Sequence, residues 1–278
     1  MAVGGVPQVF GGQVQIDLRA GDLAVAQEIA NGHQPHAGMR FSPDGRRLAI
    51  LVLKMDEQQA GHMLGEEVQV FEFPGGKQLS TIPAELGYGL PVVFSPDGTK
   101  LLSRGLSRVR LWDAASGQMV RELEVTPQRQ VISMAFSPDG GRIAASGLVL
   151  PAGNEEPTGT LWIWDVATGN LERKVEAAEA GKGVMLHGQL RFSPSGEFLA
   201  VHTTRKIDIV ETATGRGVGK IEQLAVHTMQ WAQDGRTITT ISMPAVSDGG
   251  GALPEGRYEV YPRVRVWDWR TRKETEVQ

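Results

Sequence analysis

The sequence predicts an all-β chain built from repeated small antiparallel sheets, and three observations carry that expectation. Phe-Ser-Pro-Asp-Gly occurs at Phe41, Phe94 and Phe136, with Phe192-Ser-Pro-Ser-Gly and Trp231-Ala-Gln-Asp-Gly as weaker copies. A second phrase follows each copy, an apolar strand ending in or near an acid. The pair recurs with a basic period near 40 residues, and self-similarity at such a period marks an array of similar units.

The first phrase reads as a hairpin corner. It follows alternating segments such as Val131-Ile132-Ser133-Met134-Ala135-Phe136 and precedes short apolar runs such as Arg142-Ile143-Ala144-Ala145-Ser146, the pattern of two strands joined by a tight turn. Pro43, Pro96, Pro138 and Pro194 preset φ at the first central turn position. Asp or Ser takes the second, and glycine accepts the left-handed conformation that follows.

The second phrase runs Val109 to Gly117 and contains Trp112-Asp113; it returns from Leu161 to Gly169, from Ile207 to Gly215 and from Val68 to Gly76. A fifth copy, Val264 to Arg272, lacks the glycine. The terminal acid can accept backbone N–H bonds in the turn, and the glycine four residues later supplies positive φ. A further strand leaves this turn, which makes four strands per unit.

Four strands per unit and these two paired corners resemble the WD-repeat β-propeller family, bacterial type, over nearly the whole chain. The hairpin phrase is also similar to repeats of TolB-like propellers, but the Trp-Asp strand with its Thr-Gly turn favours the WD type. The resemblance implies a single β-propeller domain over residues 1–278 with five clear repeats and a partial N-terminal blade.

Composition agrees with a turn-rich single toroid: 278 residues with 35 Gly and 15 Pro, long enough for a large core. A formal charge of −4 and the lack of any Lys/Arg run disfavour a nucleic-acid partner. With no cysteine, disulfides, thiolate zinc sites and cysteine nucleophiles are excluded. Met1 to Pro7 does not read as a signal peptide, and the longest apolar run, Leu48 to Leu53, is strand-sized. The expectation is a soluble chain without membrane insertion, cytoplasmic by default and extracytoplasmic if upstream sequence is missing.

The blade count does not close simply. Acid-led turns begin at Asp17, Glu72, Asp113, Asp165, Glu211 and Asp268, against five hairpin phrases. Three arrangements fit: a six-bladed ring whose reduced first blade spans about Val6 to Ile29, a fragment of a longer seven-bladed chain, or closure through a second copy. A truncated or atypical ring is favoured, with self-association if the ring is open.

The units differ in one place. From hairpin aromatic to strand-end acid the interval is 19 residues for Phe94 to Asp113 and for Phe192 to Glu211. It is 31 for Phe41 to Glu72, 29 for Phe136 to Asp165 and 37 for Trp231 to Asp268. Blades one, three and five therefore carry insertions between their second and third strands, at about Leu53 to Glu67, Gly147 to Thr160 and Met243 to Arg263. In the family resembled, these connections open on one rim, and loops on a rigid scaffold commonly carry binding.

The insertions hold the acids Asp56, Glu57, Glu66, Glu67, Glu155, Glu156, Asp248, Glu255 and Glu259 against Lys54, Arg257 and Arg263, a net of −6 in a chain of −4. A negative rim that attracts a basic protein segment or a cation is expected. Acid-rich composition is also what an ordinary solvated loop shows.

No His-Glu-x-x-His, Gly-x-Ser-x-Gly or phosphate-loop motif occurs, and Asp248 to Gly251 has no following helix to bind phosphate. The six histidines, His33, His36, His62, His187, His202 and His227, are dispersed. Gly32-His33 is similar to the Gly-His element of WD repeats, whose histidine bonds a loop aspartate and the strand tryptophan. The turns Arg104 to Arg108 and Thr203 to Lys206 lack that aspartate, so an incomplete network is expected. Blade cohesion then rests mainly on apolar packing by Phe94, Trp112, Phe136, Trp164, Phe192 and Trp267.

The expected function is a non-enzymatic scaffold or recognition module, without catalytic residues, cofactor or metal, that binds a protein or peptide through its inserted loops. The alternatives are a propeller enzyme or small-ligand or cation binder at the central channel, and a purely architectural spacer.

Overall fold

The hairpin phrase folds around its serine. In blade one the Ser42 hydroxyl donates to Asp44 Oδ1 at 2.5 Å and accepts the Arg47 backbone N–H at 2.9 Å. Asp44 Oδ1 also accepts the Arg46 N–H, and Gly45 follows at φ 69°. The same bonds recur at Ser95 and Asp97 and at Ser137 and Asp139. Where Ser195 replaces the aspartate, Ser193 still accepts the Phe198 N–H at 3.0 Å. All four serines are buried, so each hydroxyl satisfies a strand-starting N–H that water cannot reach.

The acid-led turn is equally local. Asp113 Oδ1 accepts the Ser116 N–H at 2.8 Å, and the Gly117 N–H returns to the Asp113 carbonyl at 2.9 Å. Asp165 and Gly169 repeat this. In the copy without glycine, Arg272 makes the return bond to Asp268 and holds φ 59° itself.

In the structure, a computed structural model, the described residues are 9–10, 13–14, 38–55, 63–84, 92–105, 107–125, 129–149, 158–176, 189–203, 206–223, 226–242 and 263–275. Among them the regular structure is strand alone. β1 (Val9–Phe10) and β2 (Gln13–Val14) form a two-stranded sheet. It lies within the stretch, about Val6 to Ile29, where one of the three arrangements places a reduced blade; the Asp17 turn and His33 lie outside the described residues.

Five four-stranded antiparallel sheets follow, each in simple sequence order. Blade one is β3 (Met39–Phe41), β4 (Arg47–Met55), β5 (Met63–Glu72) and β6 (Gln78–Ala84). Blade two is β7 (Val92–Phe94), β8 (Lys100–Arg104), β9 (Arg108–Asp113) and β10 (Met119–Glu124). Blade three is β11 (Arg129–Phe136), β12 (Arg142–Val149), β13 (Thr158–Asp165) and β14 (Leu171–Glu176). Blade four is β15 (Leu190–Phe192), β16 (Phe198–His202), β17 (Lys206–Glu211) and β18 (Gly217–Glu222). Blade five is β19 (Val226–Trp231), β20 (Thr237–Ser242), β21 (Arg263–Asp268) and β22 (Lys273–Thr275).

The chain divides into two compact units, Met1–Leu123 and Glu124–Gln278. In the first, Ala49, Leu51, Val68, Val70 and Ile82 of blade one pack on Val92, Phe94, Leu101 and Trp112 of blade two. Alternation along each strand puts these residues on one face. The two hairpin corners also touch, because the Arg47 guanidinium donates to the Gly98 carbonyl.

In the second unit, Ala144, Leu161 and Ile163 of blade three pack on Leu190, Phe192, Leu199 and Val201 of blade four. The other face of blade four, Ala200, Ile207, Ile209 and Ile221, packs on Val226, Met229, Trp231, Ile238 and Trp269. Blade four is thus apolar on both faces, which a sheet sandwiched between sheets requires. The expected aromatics are buried, with Trp267 only partly so.

The expected gap in the tryptophan network is filled by other polar side chains. Trp112 Nε1 donates to Ser103 Oγ at 2.8 Å, and Trp267 Nε1 donates to Gln223 Oε1 at 2.8 Å, which also accepts the Thr240 hydroxyl at 2.7 Å. Other polar side chains therefore take the tryptophan N–H groups in these two blades.

Candidate functional site

The inserted segments occupy the end of each sheet opposite its hairpin and acid-led turns, because the second-to-third strand connection must leave from there. In blades two and four this connection is short: Arg104 pairs with Val109, and His202 with Ile207. In blade one it is an arm. β4 and β5 continue their pairing through Val52↔Glu67, Leu53↔Glu66, Lys54↔Gly65 and Met55↔Met63.

The first strand of blade one pairs no further than Met39↔Ile50, and the fourth no further than Ala84↔Glu66. The outer rungs of the arm consequently have no flanking strand among the described residues. Among the described residues, a Cβ on Gly65 there would meet no atom within 4 Å. In blade three part of the insertion likewise lengthens strands, with Arg129↔Val149 and Val149↔Thr158 as the end rungs. In blade five Ser242 pairs with Arg263, and residues 243–262 lie outside the described residues.

Of the acids expected on the rim, Glu66 and Glu67 are therefore strand residues of the arm and not loop residues. Insertion length was read against a bare unit, and extra residues can extend a hairpin as well as a loop. Asp56, Glu57, Glu155, Glu156, Asp248, Glu255, Arg257 and Glu259 lie outside the described residues.

Glu66 and Glu67 are adjacent on β5, so their side chains take opposite faces. Both are half-buried. Glu67 Oε1 accepts the Gln69 carboxamide at 2.8 Å, which sets the orientation of that amide. Gln69 is buried, with its Oε1 lacking a donor among the described residues, and Glu66 Oε2 is in the same position. Gln69 was not singled out from sequence; its signal was a polar residue in the alternating run Val68-Gln69-Val70.

Of the histidines within the described residues, His202 is buried at the end of β16 and His227 is exposed on β19. Among the described residues, no three His, Asp or Glu side chains come together in a cluster able to hold a metal ion.

No protein-family model matches the chain, and no curated protein matches it. Among solved structures it is similar to hydrazine synthase of Kuenenia stuttgartiensis, with a TM-score of 0.55 and 17% sequence identity over 73% of this chain and 67% of that one. At that identity the likeness concerns fold. With the five repeated four-stranded sheets, it places the chain in the all-β, propeller-bladed class.

Proposed function

We propose that the chain is a non-enzymatic recognition module, a propeller of the WD-repeat kind, that binds a basic protein or peptide segment through the acidic insertions of its blades. The observation that carries this reading is the β4–β5 arm, which extends past the first strand of its sheet and bears Glu66 and Glu67. Pairing of β5 with β4 and β6 fixes the backbone that carries these carboxylates, which lowers the ordering cost of binding. Lys and Arg side chains complement the carboxylates of such an arm in charge, and opposite charge speeds and orients encounter.

Selection of binders from a random peptide library against the intact chain tests it. Lys/Arg-rich sequences should be enriched, and their affinity should fall with salt. A variant carrying Gln at Glu66, Glu67 and the other insertion acids should lose them. Enrichment of acidic or uncharged sequences, or unchanged binding by that variant, would overturn the proposal.

A further inference from the structure

The acid-led turn of blade five differs from its counterparts in charge. After Asp113, Asp165 and Glu211 the second to fourth turn positions read Ala115-Ser116-Gly117, Ala167-Thr168-Gly169 and Ala213-Thr214-Gly215, and after Glu72 they read Pro74-Gly75-Gly76, all uncharged. After Asp268 they read Arg270-Thr271-Arg272, with Lys273 next. Every residue from Arg270 to Lys273 is exposed.

Arg272 takes the place of the glycine and keeps its left-handed backbone, the one residue other than glycine with positive φ among the described residues. Its side chain is exposed, so packing does not offset that strain. Strain kept at the surface, where glycine would relieve it, points to use of the side chain itself. Arg270 is pre-positioned. Its guanidinium lies 5.1 Å from the centre of the Trp269 ring and 5.9 Å from that of Phe198, within cation–π range of both. Trp269 is buried in turn, and its Nε1 donates to the Gly235 carbonyl at 3.2 Å.

The acids of this corner are engaged elsewhere. Asp268 Oδ2 accepts Arg236 Nε at 2.7 Å, and Glu274 pairs with Arg265 at 3.6 Å, so Arg270, Arg272 and Lys273 form no ion pair among the described residues. The backbone of the turn is also used. Asp268 Oδ1 accepts the N–H groups of Arg270 and Thr271 at 3.0 and 3.2 Å, and the Asp268 carbonyl accepts that of Arg272 at 2.8 Å. The turn thus offers no nest of free amides to cradle a phosphate. A nucleic acid needs a broader basic surface than three cations on a chain of −4. Cations on separate side chains suit carboxylates spaced along a protein segment.

We infer that the turn from Asp268 to Lys273 docks a segment rich in Asp and Glu from a separate partner protein, whose carboxylates meet Arg270, Arg272 and Lys273. The turn lies at the end of its sheet opposite the inserted segment, so a second copy offering its acidic insertions would attach head to tail in an open-ended string, whereas a separate partner completes the contact. The surface is independent of the acidic arm, and either reading stands if the other fails.

The test is titration of the intact chain with fluorescently labelled hexaglutamate, hexaglutamine, hexalysine and hexathymidylate, followed by anisotropy. Hexaglutamate should bind despite the chain's net charge of −4, with an affinity that falls as salt is added, and hexaglutamine should not bind. Arg272→Gly, which restores the residue of the other turns, should weaken hexaglutamate about threefold without loss of stability. The triple variant Arg270→Ala, Arg272→Gly, Lys273→Gln carries the residues found at the same positions after Asp113 and should weaken it about tenfold or more. Hexalysine reads the acidic insertions and should bind the triple variant no more weakly than the parent, so failure here and failure of the proposed function are told apart. No response at millimolar hexaglutamate, unchanged affinity in the triple variant, or tighter binding of hexathymidylate overturns the inference. So does a mass that grows with concentration in the parent and not in the triple variant, since the occupant would then be a second copy.

Discussion

Trp112 and Ser103 are diagonal neighbours on β9 and β8, and the indole N–H donates to the serine hydroxyl at 2.8 Å with both residues buried. Ser103→Ala leaves that N–H without an acceptor in the core between blades one and two. An orphaned buried donor costs about 1–3 kcal/mol. Urea unfolding should show a loss of that size. A double-mutant cycle with Trp112→Phe should recover part of it, and additive losses would show that the bond contributes no coupling.

Arg272 occupies the position that glycine holds in the other acid-led turns, at φ 59° where Gly117 has 70°. A side chain in this region is strained by roughly 1 kcal/mol. Arg272→Gly should raise stability by about that amount, offset in part by glycine's greater freedom when unfolded. The converse change, Gly117→Ala, should cost more, because its Cβ would also lie 3.0 Å from Ser80 Cβ and the Thr81 carbonyl. Thermal melts of both variants decide the matter; destabilisation by Arg272→Gly would contradict the strain argument.

Gly219 admits the Trp269 ring to β18. A Cβ there would sit 2.8 Å from Trp269 Cε3, closer than any real contact. Trp269 is buried and packs on Phe198 and Trp231, so it has no open space to retreat into. Gly219→Ala should destabilise by about 1–3 kcal/mol, the usual cost of overpacking, and shift the tryptophan emission. An unchanged melt would mean that the ring moves at no cost.

The hairpin aspartates make the fold sensitive to acid. The Ser95 hydroxyl, then the Thr99 N–H, holds Asp97 down from 3.8 to about 2. The Arg236 guanidinium does the same for Asp268, also to about 2. Asp44 and Asp139 are lowered too, first by their serines. A carboxylate whose folded pKa lies below its unfolded one stabilises fully above the unfolded value and stops doing so as pH falls through the folded one. Stability should therefore be level above about pH 4 and decline between about 4 and 2. Asp97→Asn should lower stability at neutral pH and flatten that decline. A variant whose pH profile matches the parent's would refute the role of this carboxylate.

Much of the fold was legible because its turns are made within a few residues. Serine, aspartate and glycine of each hairpin corner bond one another and the next strand's N–H, so their order in the chain already contains the contact. The missing glycine at Arg272 was visible in the same way. The arm was less legible. Insertion length says that residues are added, but whether they pair, as Leu53 does with Glu66, depends on cross-strand register that no single segment contains.

By itself the sequence determined the strands, their corners, the four-strand unit and the apolar faces, since each follows from alternation and turn chemistry over about ten residues. Only tertiary structure decided which polar groups meet. Trp267 finds Gln223 at a separation of 44 residues, and Trp231 finds the Arg191 carbonyl at a separation of 40. Stacking brings residues together at distances set by how whole sheets pack, and that information is spread over every face in contact.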